Sequence, residues 1–230
     1  MKKFLMKNYL GLLGALLLVV MAFISSTIGG DAGSGLMIAA FAPCSAALAA
    51  NITGDCSNPR IAGYEQIGVI FNKDDIDLTA LTINSSNSRI IEAIAAKSGK
   101  SPFVVYNNKN NPLPFNGTQT EYNSDNDKYD KTVQFYFEGI GGENSEDVVE
   151  PLKGGEYLVI LQRKDHRGDG SFQVFGYQSG LKATAQVQDE ETGYWLMTLT
   201  CSEPSAECSF FKTDYATTKA LFDALVTAAP

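Results

Sequence analysis

The sequence is short of the residues on which most enzymatic and metal chemistry depends. Its 230 residues include one histidine, His166, and four cysteines, none of which forms a CxxC pair. A structural zinc site therefore lacks ligands. His166 lies in the charged turn RKDHRGDG, which is typical of a solvated loop histidine and not of the general base of a catalytic triad.

Phosphate-binding and peptidase motifs are missing as well. There is no GxxxxGK(S/T), no GxGxxG after a strand and no HExxH. Residues 74–77 and the run SDNDKYD at 124–130 are rich in aspartate but lack the glycine and closing glutamate of a calcium loop. Glu143, Glu146 and Asp147 are better explained as dipole partners at a helix start than as a glycosidase pair. We therefore expect no catalytic site, no metal and no cofactor.

Basic residues are scarce, with 18 lysines and arginines against 26 acids. Three of the lysines and one acid lie in the first fifty residues, which leaves 15 basic and 25 acidic residues and a net charge of −10 in residues 51–230. A domain this acidic repels the phosphates of nucleic acids, which argues against a basic groove that binds DNA or RNA. It suits a passage through which nucleic acid slides without adhering.

Residues 1–50 differ in kind from the rest. Lys2, Lys3 and Lys7 precede an uncharged run at 9–28 that is long enough to span a bilayer. A second apolar run, 36–50, ends in Ala-Leu-Ala, which fits the small-x-small rule for signal peptidase. This pattern is typical of an export leader or a membrane anchor. The alternative is that the start codon is mispredicted and that the chain begins at Met37 or at a later codon. We expect a leader at 1–50 and one domain at 51–230.

Alternation of apolar and polar residues predicts a mainly β domain. Three successive strands, 172–176, 181–188 and 194–200, are joined by turns rich in Gly, Asp and Ser and read as an antiparallel meander with one polar face. The run at 157–162 is apolar on both faces, which predicts a central strand. Further strands are predicted at 64–72, 101–106, 132–139 and 207–211.

Two short helices are predicted beside the strands. One runs over 145–153 from a Ser145 cap, and the other over 215–227 from an Asp214 cap. Local propensity also favours a helix over 88–97. Residues 107–131 form a long polar segment without predicted structure, a mobile loop of the kind that is usually functional or ordered by a partner. The predicted fold is an antiparallel β-sandwich or small barrel with one or two short flanking helices.

Cys201 and Cys208 flank the loop SEPSAE and could meet across a hairpin. In a reducing cytoplasm we expect them to be small buried thiols instead.

The order of these segments resembles that of tail-tube-like virion proteins of tailed phages, in particular phages of Bacteroidetes, crAss-like phages included. The likeness spans about residues 52–212 and is carried by three stretches: DCSNPRIAGYEQIGVIFNKDDID, GGEYLVILQRKDHRGDGSFQVFGYQSGLKATAQ and GYWLMTLTCSEPSAECSFF.

The resemblance implies a virion protein assembled in the host cytoplasm, whose copies form rings that stack into a tube beside other tail proteins. DNA would pass through this negative conduit without specific binding. It also implies that 88–97 is a strand, against local propensity. The side chains expected to line the lumen are Gln134, Glu138, Gln173, Gln186 and Gln188. The loop expected to reach a neighbouring subunit includes Asn107, Pro112, Pro114, Phe115, Tyr122 and Tyr129.

The leader supports a different hypothesis. An exported or membrane-anchored β-sandwich would act as an adhesin or surface-binding module in the periplasm or at the cell surface. A membrane is a partner only if residues 9–28 are retained.

Overall fold

The structure is a computed structural model of the chain, and it describes residues 50–52, 57–106, 114–137, 141–189 and 193–230. The predictions for residues 1–49 and for Asn107, Pro112 and Glu138 lie outside the described residues.

The described residues form a mainly β fold with two sheets, consistent with the predicted β-sandwich. The strands are β1 (Tyr64–Asn72), β2 (Thr82–Ile83), β3 (Ile90–Ala93), β4 (Phe103–Tyr106), β5 (Gln119–Asn123), β6 (Lys128–Phe137), β7 (Tyr157–Arg163), β8 (Phe172–Phe175), β9 (Lys182–Asp189), β10 (Tyr194–Glu203) and β11 (Cys208–Phe210). Helical turns lie at Lys73–Asp75, at 142–152 and at Gly168–Ser171, and a longer helix spans Tyr215–Thr227.

The larger sheet has seven strands in the order β2-β3-β11-β8-β7-β1-β4. All its pairings are antiparallel except that of β3 with β11. β7 lies inside the sheet between β1 and β8, and its residues 157–162 are all buried. The prediction of a central strand from the run YLVILQ is therefore confirmed.

The pairing of β1 with β7 defines two ends of this sheet. Tyr64 lies opposite Arg163 at one end, which we call the Arg163 end. Asn72 lies opposite Tyr157 at the other, which we call the Asn72 end. β1 rises by roughly 3.3 Å per residue, so the two ends lie roughly 26 Å apart.

The smaller sheet has four strands in the order β5-β6-β10-β9. Val133 and Phe135 of β6 and Met197 and Leu199 of β10 point to the same face and are buried there. This alternation is the one predicted from the sequence of both strands.

Two apolar clusters lie on opposite faces of the larger sheet, giving three layers of structure. The first fills the space between the two sheets and includes Ile70, Phe115, Val133, Phe135, Val159, Leu161, Phe175, Met197 and Leu199. The second lies between the larger sheet and the C-terminal helix and includes Val69, Phe71, Ile91, Leu158, Ile160, Phe172, Phe210 and Phe222. Because β7 contributes alternate residues to both clusters, it is apolar on both faces.

The predicted meander is wrong in its topology. β8 belongs to the larger sheet, whereas β9 and β10 belong to the smaller one, so the chain crosses between sheets after Phe175. Gly176 makes this crossing with φ +77°, and a Cβ there would lie 2.3 Å from the Tyr157 carbonyl oxygen. The predicted polar face of the first strand is also wrong, because all four residues of β8 are buried.

The chain returns to the larger sheet between β10 and β11. Cys201 lies on β10 and Cys208 on β11, so the two cysteines stand on strands of different sheets and not across a hairpin. Both are free thiols, as expected. Burial raises the pKa of Cys201 to about 11, so this thiol stays protonated and unreactive at neutral pH.

A buried ion pair lies at these crossings. Lys131 Nζ donates to Glu203 Oε2 over 2.6 Å, and neither side chain is exposed. Glu203 Oε1 accepts the backbone N–H groups of Gln178 at 2.7 Å and Ser179 at 3.4 Å. Glu203 ends β10, and the two N–H groups belong to the β8–β9 connection. One carboxylate therefore joins both crossings to β6.

The remaining predictions have mixed outcomes. Residues 90–93 form β3, so the strand implied by the resemblance is confirmed against local propensity. The predicted first helix begins earlier than Ser145: the helical turns start at Gly142 and end at Leu152, and include one π-helical turn. The C-terminal helix is confirmed with both its bounds and its cap, since Asp214 Oδ1 accepts the Thr217 N–H over 2.7 Å.

No helix within the described residues is both long and apolar enough to cross a membrane.

The Lys131–Glu203 pair predicts the outcome of a double-mutant cycle. Lys131→Met leaves a buried carboxylate without its cation, and Glu203→Gln leaves a buried ammonium without its anion. We expect each single change to lower the free energy of unfolding by about 3–5 kcal/mol. The double variant removes both charges, and its glutamine oxygen still accepts the Gln178 N–H, so it should be more stable than either single variant. Urea denaturation measures all three, and a double variant less stable than both singles would contradict this account.

Candidate functional site

The four-stranded sheet has two open edges. Its three pairings, β5–β6, β6–β10 and β10–β9, are all antiparallel. Within the ranges that the structure describes, no strand pairs with the outer side of β5 or of β9. An edge strand presents unpaired N–H and C=O groups to which a strand of another chain can add. These two edges are the largest unfilled hydrogen-bonding surfaces of the smaller sheet.

The β9 edge has no proline and little charge, although it carries one bulge, where its register on β10 shifts between Thr198 and Leu199. Residues 183–188, ATAQVQ, contain no charge and no proline. Ala185 is exposed and Val187 is 55% exposed. Natural edge strands commonly carry lysine, proline or a bulge to keep other strands away. Lys182, the one charged residue at the start of β9, is held by Glu156 at 3.0 Å. Residues 185–188 lie beyond the bulge in regular register and are thus open to another strand.

The β5–β6 hairpin forms the opposite edge. The prediction of a mobile loop over 107–131 is wrong for its second half, because SDNDKYD makes the turn of this hairpin. Asn123 Oδ1 accepts the Asp125 N–H over 3.0 Å, and Asn126 Oδ1 accepts the Lys128 N–H over 3.1 Å. Such side-chain bonds to the local backbone fix tight turns.

Tyr122 and Tyr129, predicted to reach a neighbouring subunit, face each other across this hairpin. Their ring centroids lie 5.4 Å apart, and Tyr122 Oη donates to Asp127 Oδ1 over 2.8 Å. This hydrogen bond to a carboxylate raises the pKa of Tyr122, because it favours the protonated phenol. Tyr122 is 52% exposed, so the pair presents apolar surface at the β5 edge.

Pro114 and Phe115 were assigned to the same loop, and the structure corrects the role of Phe115. Its ring is 2% exposed and lies between the sheets, edge-on to Tyr64 at a centroid distance of 6.4 Å. Phe115 has φ +56°, so the chain turns sharply to bury it. It is a core residue and does not reach outward. Pro114 lines a surface cavity described below.

Gln134 lies on the outer face of the smaller sheet, the face turned away from the larger one. It pairs in register with Thr198, and Gln134 Nε2 donates to Thr198 Oγ1 over 3.3 Å. Where residues 132–136 pair with residues 196–200, the outer face is built from hydroxyl, amide and apolar side chains: Thr132, Gln134, Tyr136, Leu196, Thr198 and Thr200.

The other described residues of the predicted lumen set do not join Gln134. Gln186 lies opposite Met197 and Gln188 opposite Trp195, so both belong to the inner face. Gln186 Nε2 donates to the Val149 carbonyl over 2.7 Å. The five predicted residues therefore do not form one polar surface.

Gln173 lies in the larger sheet and is 5% exposed. Its Oε1 accepts from Tyr64 Oη at 2.6 Å and from Arg163 Nη2 at 2.7 Å. Alternation with Phe172 and Val174 predicts a polar face for Gln173, and the resemblance implies a place in the lumen, but this strand is covered on both faces. Gln173 is a buried structural acceptor.

A polar cavity of about 500 Å³ opens at the Arg163 end. The residues before β1, the turn after β7 and the segment before β5 supply its walls: Arg60, Ile61, Ala62, Gly63, Tyr64, Pro114, Phe115, Asn116, Gly117, Thr118, Arg163, Lys164, Asp165 and Glu207. Arg163 Nη1 lies 2.8 Å from Glu207 Oε1. No ion pair of Arg60 or Lys164 is found among the described residues. The cavity is therefore rich in positive charge although the domain is acidic.

Arg167 holds two chain segments together beside this cavity. Its guanidinium forms two hydrogen bonds to the Asp165 carboxylate, at 2.7 and 2.8 Å. It also donates to the carbonyls of Asn58 and Pro59 at 2.8 and 3.1 Å, which holds the segment leading to Arg60 against the turn. The hydrogen bonds from Arg167 lower the pKa of Asp165 to about 2.

His166 lies on the surface, as predicted. Its ring stacks on Tyr215 with centroids 4.4 Å apart, and its Nε2 lies 3.4 Å from Glu65 Oε1. Of the described residues, no three or more His, Cys, Asp or Glu side chains are grouped so as to hold a metal ion.

Sequence reasoning missed the basic cavity and the open edges. Arg60 and Lys164 are about a hundred positions apart in the chain, and they meet only because β1 pairs with β7. The uncharged run at 183–188 was a usable signal for an unprotected edge, but the sequence does not tell which strands lie at an edge.

The Asp165–Arg167 contact predicts an acid-dependent loss of stability. A folded-state pKa of about 2, against an ordinary value of 3.8, means that the contact stabilises the fold above about pH 4 and is lost as the pH falls toward 2. Arg167→Gln should return the pKa of Asp165 toward 3.8 and lower stability near neutral pH. The difference between variant and parent should narrow as the pH falls toward 2, where mainly the lost hydrogen bonds to Asn58 and Pro59 remain.

NMR titration of the Asp165 carboxyl and urea unfolding at the two pH values measure these effects. Lys164→Gln, which removes a neighbouring cation that does not contact Asp165, is the control and should leave the pKa of Asp165 low. A wild-type Asp165 that titrates near 3.8 would refute the contact.

In comparisons with known proteins, no family model, no curated protein and no solved structure matches the chain.

Proposed function

We propose that the chain is a structural virion protein whose copies close into rings and stack to form a phage tail tube or a tail or neck ring. The rings enclose a conduit through which DNA passes without specific binding. Its partners are other copies of itself and neighbouring tail proteins.

The observation that carries this proposal is the number and direction of strands in the smaller sheet. Four antiparallel strands alternate in direction, so the open edges β5 and β9 run opposite to each other. When β9 of one copy lies beside β5 of the next, the new pairing is again antiparallel. Repeating this contact around an axis gives one continuous antiparallel sheet with no free edge.

The chemistry of the outer face supports the conduit. A closed sheet places this face toward the channel when the larger sheet and the helix lie outside. Over residues 132–136 and 196–200, the central strands then offer DNA hydroxyl and amide groups such as those of Thr132, Gln134 and Thr198 and no cation. DNA phosphates are held chiefly by lysine and arginine, so such a wall does not retain the polymer. The net charge of −10 in residues 51–230 adds repulsion.

Two lysines on the β9 edge should prevent ring closure. Ala185→Lys with Val187→Lys places charges on exposed positions of the strand, where they do not disturb the core but oppose the addition of another strand. We expect the wild-type chain to form rings in negative-stain images and the variant to remain monomeric by sedimentation velocity.

The control variant, Ala216→Lys with Ala220→Lys, adds the same charge on exposed positions of the C-terminal helix and should still form rings. If the wild-type chain is monomeric at high concentration, or if the edge variant forms rings as well as the control does, strand-edge assembly is wrong.

A further inference from the structure

Two surfaces of opposite charge lie at the two ends of the larger sheet. The Arg163 end holds the basic cavity, which is lined by three cations, Arg60, Arg163 and Lys164, and by two acids, Asp165 and Glu207. Arg163 is neutralised by Glu207, and Asp165 is neutralised by Arg167. The positive charges of Arg60 and Lys164 therefore remain in excess.

The helical turns at 142–152 lie at the Asn72 end. Tyr157 Oη, at the start of β7, donates to the Pro151 carbonyl over 2.8 Å. Asp147, Pro151 and Leu152 line a cavity together with Asn72 of β1. These turns are therefore fixed at the end of β1 and β7 opposite to the basic cavity, roughly 26 Å away along β1 at about 3.3 Å per residue.

The helical turns are strongly acidic. Four exposed acids, Glu143, Glu146, Asp147 and Glu150, follow one another at spacings of one to three residues, and none forms an ion pair with a described residue. Lys153 is the one cation that follows them before β7. Residues three and four apart share a helix face, so at least three of these carboxylates point the same way.

We propose that these two ends bind each other in neighbouring copies: the acidic turns 142–150 of one copy enter the basic cavity of the next, along the direction of β1 and β7. This inference rests on the proposed function and supplies its axial contact, since β5 and β9 serve the lateral one. The two surfaces differ, so the contact is head-to-tail and repeats without limit along an axis. It joins one ring to the next.

A single contact of this kind is weak. Exposed ion pairs contribute about 0–1 kcal/mol each and are screened by salt. A ring presents one such contact for every subunit, so the contacts add when two rings meet face to face. Monomers should therefore not form chains, whereas closed rings should stack, and stacking should weaken as salt is raised.

Charge exchange between the two ends tests the contact in the full-length chain. The base-end variant is Arg60→Glu with Lys164→Glu, and the acid-end variant is Glu146→Lys with Asp147→Lys and Glu150→Lys. All five positions are at the surface. Each variant alone has two ends of the same sign, so we expect separate rings without tubes in negative-stain images. An equimolar mixture restores opposite signs at every contact, so tubes of alternating rings should reappear.

A second measurement does not depend on rings. A carbodiimide joins an amine to a carboxylate that it touches, and Lys164 lies too far from Glu146 in its own copy for such a link. In a mixture of ¹⁵N-labelled and unlabelled chain, mass spectrometry should find Lys164 linked to Glu143, Glu146 or Glu150 of the other isotope.

The outcomes separate this inference from the proposed function. Rings that still stack when either end is reversed, or a mixture that fails to restore tubes, would overturn the head-to-tail contact and leave ring closure standing. A wild-type chain without rings counts against the proposed function. In that case the intermolecular cross-link decides: its presence at high concentration supports the contact between ends, and its absence overturns it.

Discussion

The arrangement of the two sheets depends on where one buried carboxylate lies. The chain leaves the larger sheet after β8 and returns to it before β11, and Glu203 contacts both connections and β6. A buried charge is tolerated when its partners are complete, and here Lys131 and two backbone N–H groups complete them. The pair is costly to break and therefore opposes any other register between β6 and β10. In this way one contact helps to fix the register of the two central strands of the smaller sheet.

The three layers explain why those edges stay open. The larger sheet is covered on one face by the smaller sheet and on the other by the C-terminal helix. Among the described residues, the smaller sheet is covered on the face turned to the larger sheet, and no strand pairs with the outer side of β5 or of β9. The β9 edge offers backbone groups and the exposed side chains of Ala185 and Val187, and the β5 edge adds the Tyr122–Tyr129 pair. Such a surface favours a directional contact over unspecific adhesion.

The sequence predicted the local elements well and their assembly poorly. The bounds of β1 and of the C-terminal helix agree with the prediction because both depend on local signals, alternation in one and the Asp214 cap in the other. Alternation of apolar and polar residues is the same whichever sheet a strand joins, so the sequence does not reveal that the chain changes sheets at Gly176. Gln134 and Gln186 lie on opposite faces of the smaller sheet for the same reason. The register of β9 on β10 shifts between Thr198 and Leu199, and only the strand pairing reveals this shift. The basic cavity depends on the pairing of β1 with β7 and has no local signal.

That pairing also sets the order in which the domain can form. β1 is the first strand described, but its partner β7 ends only at Arg163. Both β5 and β6 lie between these two strands in the sequence. Contacts between such distant segments form late and slowly. During synthesis the apolar β1 has no partner on its second side until β7 has left the ribosome, and the four-stranded sheet is incomplete until β10 follows. The open edges therefore come into existence only with a nearly finished chain, which delays contacts between copies until each copy is folded.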